Sequence, residues 1–527
     1  MNVKQLVEKM TIKQKIGQMM ICGFETAVPD DPHFVKLVEE YHVGNVILFT
    51  RNLGNRDETI RLTDGIREKI MADSGIPPFV VIDQEGGIVT RIFRAANIVP
   101  GSMAIGATFD EKNAYEVGRI LGEEMRALGM NFDYAPCVEE PLFRTPSNQG
   151  VRCYSDNPYM VAAFCKQYVR GLQDHGVIAT LKHFPGYTGI MEDPHLEIPV
   201  NIRTRNELEK FEFTAWRDVI ADGADAVMVG HMYCPALDPD SKISSASHKV
   251  VTELLKEDMG FKGLVSTDCM DMRSLLDVYP AGPGAVAMVK AGSHLLCISH
   301  TIETQAAACE GLYEAVMSGE IPEAKLDEIV EHILNFKVKY NLFEEKSAKE
   351  RVASVDWEEN LRTCQRISRE SVTVVRGKEM LPLKKGNGMF ISTAPHALVI
   401  VEETIASDDI LAEACAARLV GVAREIETEP DDESIAKLVE EAKGKDYVVL
   451  ATYNAFCNPG QQKLQQALCA VNPNVISVAT RSSFDYDCAG DVPGFIMLYE
   501  YTKLRIKSLL GVLSGEFEPE GIAPVGL

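Results

Sequence analysis

A (β/α)8 barrel of the TIM type, followed by a smaller α/β sandwich domain, is the α/β fold class that this sequence predicts. Eight short apolar runs mark the first 300 residues, at 16–24, 45–49, 79–83, 132–136, 177–184, 226–231, 264–268 and 294–299. Longer segments with helical spacing of apolar residues lie between them, among them 111–128, 206–221 and 249–258. Strands that alternate with helices form a parallel sheet, and eight such repeats match a closed barrel. A doubly wound open sheet is the structural alternative. The third observation is the position of polar residues. Asp83, His183, His231 and Asp268 all stand at the C-terminal ends of these runs, where a barrel of this type carries its functional groups. An Asp at the end of an apolar run is also an ordinary helix N-cap, yet one common site accounts for all four residues together.

The remaining elements follow from length and composition. A chain of 527 residues exceeds an ordinary single domain, and such a barrel takes roughly 250 residues or more. The helix-like segment 323–340 ends the barrel, which is assigned 1–340. A linker follows over 341–385, charged and rich in Glu and Lys in its first part. Residues 386–527 hold a second set of apolar runs, at 397–401, 447–452, 475–480 and 495–499, separated by helical segments, as in a smaller α/β layer structure.

The net charge of −24 argues against a nucleic-acid partner, because a phosphate-binding surface needs an excess of Lys and Arg. No apolar run is long enough for a membrane span, and Met1-Asn2-Val3-Lys4-Gln5-Leu6 lacks the apolar core of a signal peptide. A cytoplasmic protein without a membrane partner is expected. Thirteen cysteines without any C-x-x-C spacing fit scattered reduced thiols and neither a disulfide framework nor a zinc site. No phosphate loop, nucleotide motif or metal cluster is visible, so no cofactor and no metal are expected. The sequence carries no sign of the oligomeric state.

The segment richest in chemistry is Lys182-His183-Phe184-Pro185-Gly186-Tyr187-Thr188-Gly189-Ile190-Met191-Glu192-Asp193-Pro194-His195. It places Asp193 two positions before His195 in a Gly- and Pro-punctuated loop, directly after an apolar run. A His side chain, with an ordinary pKa near ~6.5, both donates and accepts protons at neutral pH. An adjacent Asp fixes its tautomer and stabilises the imidazolium. Lys-His-Phe-Pro-Gly followed at this spacing by Asp-x-His resembles the signature of family 3 glycoside hydrolases, in the branch of β-N-acetylglucosaminidases where His replaces the usual carboxylic acid as general acid/base. Further segments agree in order: Gly44-Asn45-Val46-Ile47-Leu48-Phe49-Thr50-Arg51-Asn52, Ile82-Asp83-Gln84-Glu85-Gly86-Gly87, Asn131-Phe132-Asp133-Tyr134-Ala135-Pro136, Gly150-Val151-Arg152, Leu237-Asp238-Pro239 and Gly260-Phe261-Lys262-Gly263-Leu264-Val265-Ser266-Thr267-Asp268. The pieces Asn458-Pro459-Gly460-Gln461 and Tyr499-Glu500-Tyr501-Thr502 are similar to the C-terminal domain of many family members.

The resemblance implies a retaining exo-β-N-acetylglucosaminidase acting on cell-wall fragments or chitooligosaccharides. Asp268 takes the nucleophile position, His195 the acid/base position and Asp193 that of its orienting partner. Asp83, Arg152, Lys182 and His183 take the sugar-binding positions. His231 is either a contact to substrate or nucleophile or a buried core His. The chain also departs from the pattern: Tyr187 stands where His is usual, Ile88 where Arg is usual, Pro194 where Ser or Thr is common, and Glu139 where Asp is usual. Pro194 stiffens the Asp-x-His pair through its fixed φ. Other readings remain open: a phosphorylase, since a neutral His repels phosphate less than a carboxylate does; a β-glucosidase; or a catalytically silent sugar-binding protein.

Overall fold

The computed structural model describes residues 2–141, 150–188, 190, 198–241, 243–344, 346–394 and 410–527. Eight parallel strands close into a barrel in chain order: β1 (Met20–Cys22), β2 (Asn45–Leu48), β3 (Phe79–Ile82), β4 (Phe132–Asp133), β5 (Ile178–Phe184), β6 (Ala226–Val229), β7 (Leu264–Cys269) and β8 (Leu295–Ile298). β8 returns to pair with β1, Ile21 opposite Cys297, so the open-sheet alternative is excluded. Each expected apolar run contains one strand. These strands are buried on both faces, which is why they read as nearly continuous apolar stretches.

Two boundaries differ from expectation. The run 16–24 begins in the helix Ile12–Met19, which Thr11 and Gln14 start with a capping box; Ile16 and Met19 are on its buried side. The segment 206–221 is two helices, Arg205–Lys210 and Glu212–Ala221, broken at Phe211. The segment 249–258 is one π-helical element, Lys249–Asp258.

The second sheet contains β9 (Thr373–Arg376), β10 (Gly388–Thr393), β11 (Gly421–Ile426), β12 (Tyr447–Thr452), β13 (Val475–Ala479) and β14 (Gly494–Met497). Its order is β11-β10-β12-β13-β14-β9, parallel except where β9 runs antiparallel to β14. Alternate residues face two apolar layers: Met389, Ile391, Val448 and Leu450 on one side, Phe390, Tyr447, Val449 and Ile476 on the other. The first layer also takes in Met103, Ala104 and Val151 from segments that connect the barrel strands, so the second sheet packs on the barrel's connecting segments. The expected run 397–401 lies outside the described residues.

The stretch 341–385, expected to be a linker, holds the helices Ala348–Ala353 and Trp357–Glu370 and supplies β9. Cys364 and Ile367 give the second of these helices a narrow buried stripe against the barrel's helical layer. Asn360 Nδ2 donates to Glu124 Oε1 at 3.1 Å. The apolar stripe is masked in sequence by the charged residues around it. Among the described residues no helix is long and apolar enough to cross a membrane.

Candidate active site

Four strand ends converge on one rim of the barrel. Asp83 directly follows β3, Lys182 and His183 precede Phe184 at the end of β5, His231 stands two residues after β6, and Asp268 lies near the end of β7. A chain of alternating charges links three of the expected residues. Lys182 Nζ reaches Asp83 Oδ1 at 2.8 Å and Glu85 Oε1 at 2.7 Å. Arg152 grips the same Glu85 with two bonds, Nε to Oε2 at 2.8 Å and a terminal nitrogen to Oε1 at 2.6 Å. Burial pushes the Glu85 carboxyl up, but Arg152 and Lys182 outweigh it and hold the group well below the usual carboxylate range. Burying charges costs several kcal/mol per ion unless partners replace the water; here two cations and two carboxylates compensate one another. Asp83 is the member facing the mouth, with 15% of its side chain exposed against 1% for Lys182 and 4% for Glu85.

His183 is set by a second carboxylate. Glu139 Oε1 accepts from the His183 backbone N–H at 3.1 Å, from His183 Nδ1 at 3.2 Å and from the Tyr187 backbone N–H at 3.2 Å. A carboxylate only accepts, so Nδ1 carries the proton and Nε2 is left as the acceptor in the neutral ring. The Tyr187 ring meets that of His183 edge-on, with centroids 5.1 Å apart. Its hydroxyl lies over Gly230, where a Cβ would come within 2.9 Å of it.

His231 is wholly buried, the second of the two roles open to it, and it bears on the nucleophile position through the backbone. Its Nδ1 is 2.8 Å from Ser245 Oγ, and its Nε2 is 3.2 Å from the backbone oxygen of Asp268. Burial lowers its pKa, so the ring is neutral: Nε2–H donates to that carbonyl and Nδ1 accepts from Ser245. Asp268 Oδ1 accepts from the Cys269 N–H at 2.7 Å. Asp193 and His195 lie outside the described residues.

Sequence reasoning gave no site role to three buried carboxylates, Glu139 being noted there only as a departure from the family pattern. Glu85 stands two residues beyond Asp83, Glu139 occupies the family position where Asp is usual, and each serves a residue that was expected. Glu500 arrives from the second domain. Its Oε2 accepts from the Gly101 N–H at 2.8 Å and presses on Gly87, where a Cβ would lie 2.4 Å from it. Gly87 has φ +57°, a left-handed conformation suited to glycine. A cavity of about 10 Å³ at this junction, lined by Glu85, Gly86, Ser102, Arg152, Tyr499 and Glu500, has room for one water. One group of metal-binding type, which the sequence reading did not expect, also occurs among the described residues: donor atoms of Cys137, Glu139 and His183 lie within 4.8 Å of one another.

A family model described as the glycosyl hydrolase family 3 N-terminal domain matches residues 11–336. The chain belongs to this family of glycoside hydrolases. Relatives of this family 3 chain include β-hexosaminidase A of Pseudoalteromonas piscicida, 28% identical over an alignment covering 56% of this chain and 55% of that protein. The chain thus spans about half the length of that relative. A β-hexosaminidase of Xylella fastidiosa (strain M12) is 32% identical over 50% of this chain and 79% of its own. The solved structure of a family 3 β-N-acetylglucosaminidase from Paenibacillus sp. str. FPU-7 superposes with a TM-score of 0.91, at 33% identity and with 98% of this chain and 99% of that one covered. The second domain, which the family model does not reach, is therefore matched by a whole-chain neighbour.

Proposed function

We propose that this family 3 chain is a retaining exo-β-N-acetylglucosaminidase that releases terminal N-acetylglucosamine from cell-wall fragments or chitooligosaccharides. The observation that carries the reading is the charge chain ending at Asp83, set beside His183 on the same rim as Asp268. It is a polar, preorganised floor with acceptors and donors for vicinal hydroxyls. The likeness to a β-N-acetylglucosaminidase along nearly the full length of both chains supports the choice of sugar.

In this reading Asp83 accepts from sugar hydroxyls, and Lys182, with two of its N–H groups on carboxylates, offers the third. Arg152 holds Glu85 and through it Lys182. His183 presents Nε2 to the sugar. Asp268 attacks the anomeric carbon while His195, oriented by Asp193, protonates the departing oxygen. A water molecule then gives its proton to His195 and displaces Asp268, so the configuration is retained. His231 steadies the Asp268 backbone. Thirteen free cysteines, most of them buried, support a reducing compartment such as the cytoplasm.

The test compares aryl N-acetyl-β-glucosaminide with aryl β-glucoside, each with and without inorganic phosphate. Turnover of the N-acetyl substrate, indifferent to phosphate and yielding the free sugar, is expected. Preference for the glucoside, a glycosyl phosphate product, or binding without turnover would each replace this reading with one of its rivals.

A further inference from the structure

The wall behind His183 holds chemistry that glycoside hydrolysis does not use. After β4, Cys137 bridges to Lys182 in parallel fashion, with the Val138 N–H donating to the Lys182 carbonyl at 2.8 Å. The chain here continues the β4–β5 ladder by a few residues. Side chains two apart on extended backbone face the same way, so Cys137 and Glu139 both turn toward His183. The thiol sulfur, a carboxylate oxygen and an imidazole nitrogen come within 4.8 Å of one another, and all three residues are buried. Thiolate, carboxylate and imidazole with a fourth position open make a donor set that zinc accepts.

A second observation points to a cation. Glu139 is fully buried, yet among the described residues only Oε1 is engaged and Oε2 has no hydrogen-bond partner. Buried polar atoms are nearly always satisfied, and this oxygen belongs to the carboxylate that faces the thiol. The neighbouring charges balance: Glu85 Oε2, 3.8 Å from the Cys137 sulfur, is already matched by Arg152 and Lys182. An arriving dication therefore meets the charge of Glu139 and that of the thiolate formed on binding.

We propose that Cys137, Glu139 and His183 bind a thiophilic divalent cation, zinc or cadmium, and that this cation and the sugar exclude each other. The thiol gives its proton to solvent as the metal–sulfur bond forms, with no change of oxidation state, and the ring proton of His183 passes from Nδ1 to Nε2 through solvent as Nδ1 turns from Glu139 to the metal. Tetrahedral bonds of about 2.0–2.3 Å place donors roughly 3.5 Å apart, so the widest of the three separations closes by up to about an ångström. A metal on Nδ1 replaces the Glu139 hydrogen bond that sets the ring and turns Nε2 from an acceptor into a donor, which removes the acceptor His183 offers the sugar. The exclusion rests on the sugar-contact role proposed for His183, whereas the binding itself does not.

The test titrates cadmium into the full-length protein, reading the ultraviolet thiolate-to-metal charge-transfer band, and follows zinc inhibition of aryl glycoside turnover with reversal by EDTA. Cys137→Ser, which alters no proposed sugar contact, is expected to keep basal turnover. It should lose one equivalent of the cadmium band and raise the zinc inhibition constant on the order of tenfold or more. In the wild type, zinc should raise KM without lowering kcat. A cadmium band and zinc inhibition unchanged by Cys137→Ser overturn the site. A band lost with Cys137, but without competition between zinc and substrate, keeps the site and removes the exclusion together with the sugar contact of His183. Cys137→Ala provides the same comparison if the serine variant does not fold.

Discussion

Replacing Glu500 by Gln tests the junction through its pH dependence. The carboxyl is buried beneath Gly87 and Gly101, and burial pushes it up from 4.5 to about 7, with Arg505 and the Gly101 N–H only partly opposing. The difference, 7 minus 4.5, is about 2.5 units, and at ~1.4 kcal/mol per unit it amounts to about 3 kcal/mol. A carboxyl raised on folding contributes stability that is complete below its unfolded pKa and is lost as pH rises through the folded one. Wild-type stability should therefore fall by about 3 kcal/mol relative to Glu500→Gln between pH ~4.5 and ~8, with most of the loss complete just above pH 7. Glutamine keeps an acceptor for the Gly101 N–H, so the contact survives and only the titration disappears. Urea unfolding of both proteins across this range measures the difference directly. A constant gap between the two curves would refute the reasoning and mean that Glu500 is ionised throughout.

Asp268→Ala should abolish turnover while leaving the melting temperature near that of the wild type, and a 2-fluoro sugar should label the Asp268 peptide in the wild type alone; normal turnover in the folded variant would move the nucleophile elsewhere. His195→Ala should slow substrates with poor leaving groups far more than activated aryl glycosides, with azide partly restoring the latter; equal losses without rescue would assign His195 to positioning only. Glu85→Gln leaves Arg152 and Lys182 buried with one carboxylate fewer and should cost about 3–5 kcal/mol of stability, read by urea unfolding, along with a raised KM as Lys182 loses its anchor. An unchanged midpoint would show that solvent already compensates these cations.

The barrel was legible because a parallel sheet covered by helices buries both faces of every strand, so each strand prints an apolar run at the right interval. The second sheet printed less. β11 is an edge strand whose residues 424–425, Arg424 and Glu425, are exposed, and β9 reaches its place only through antiparallel pairing with β14, a partner more than a hundred residues later. The helix Trp357–Glu370 was masked for the related reason that two buried apolar residues, Cys364 and Ile367, suffice to dock it when its other faces are charged. Site residues divide along the same line. Asp83, His183 and Asp268 could be found from strand ends, because a group that meets ligand must sit where the strand stops.

Glu85 and Glu500 left no comparable mark and Glu139 showed only as a departure at a family position, since each acts on other residues and not on the mouth. Glu85 meets Arg152 across 67 positions of sequence and Glu500 meets Gly101 across 399, separations that only the closed fold brings together. His231 was visible at a strand end and yet faces inward, holding the Asp268 carbonyl. Position along a strand thus marks which residues surround the mouth, whereas burial and hydrogen-bond accounting decide which of them remain open to ligand. The three carboxylates show why the second step matters: Glu85 is engaged by Arg152 and Lys182, Glu139 Oε1 by His183 and Tyr187, and Glu500 Oε2 by Gly101. Substitution at these positions should disturb stability and binding together, while substitution of Asp268 should separate the two.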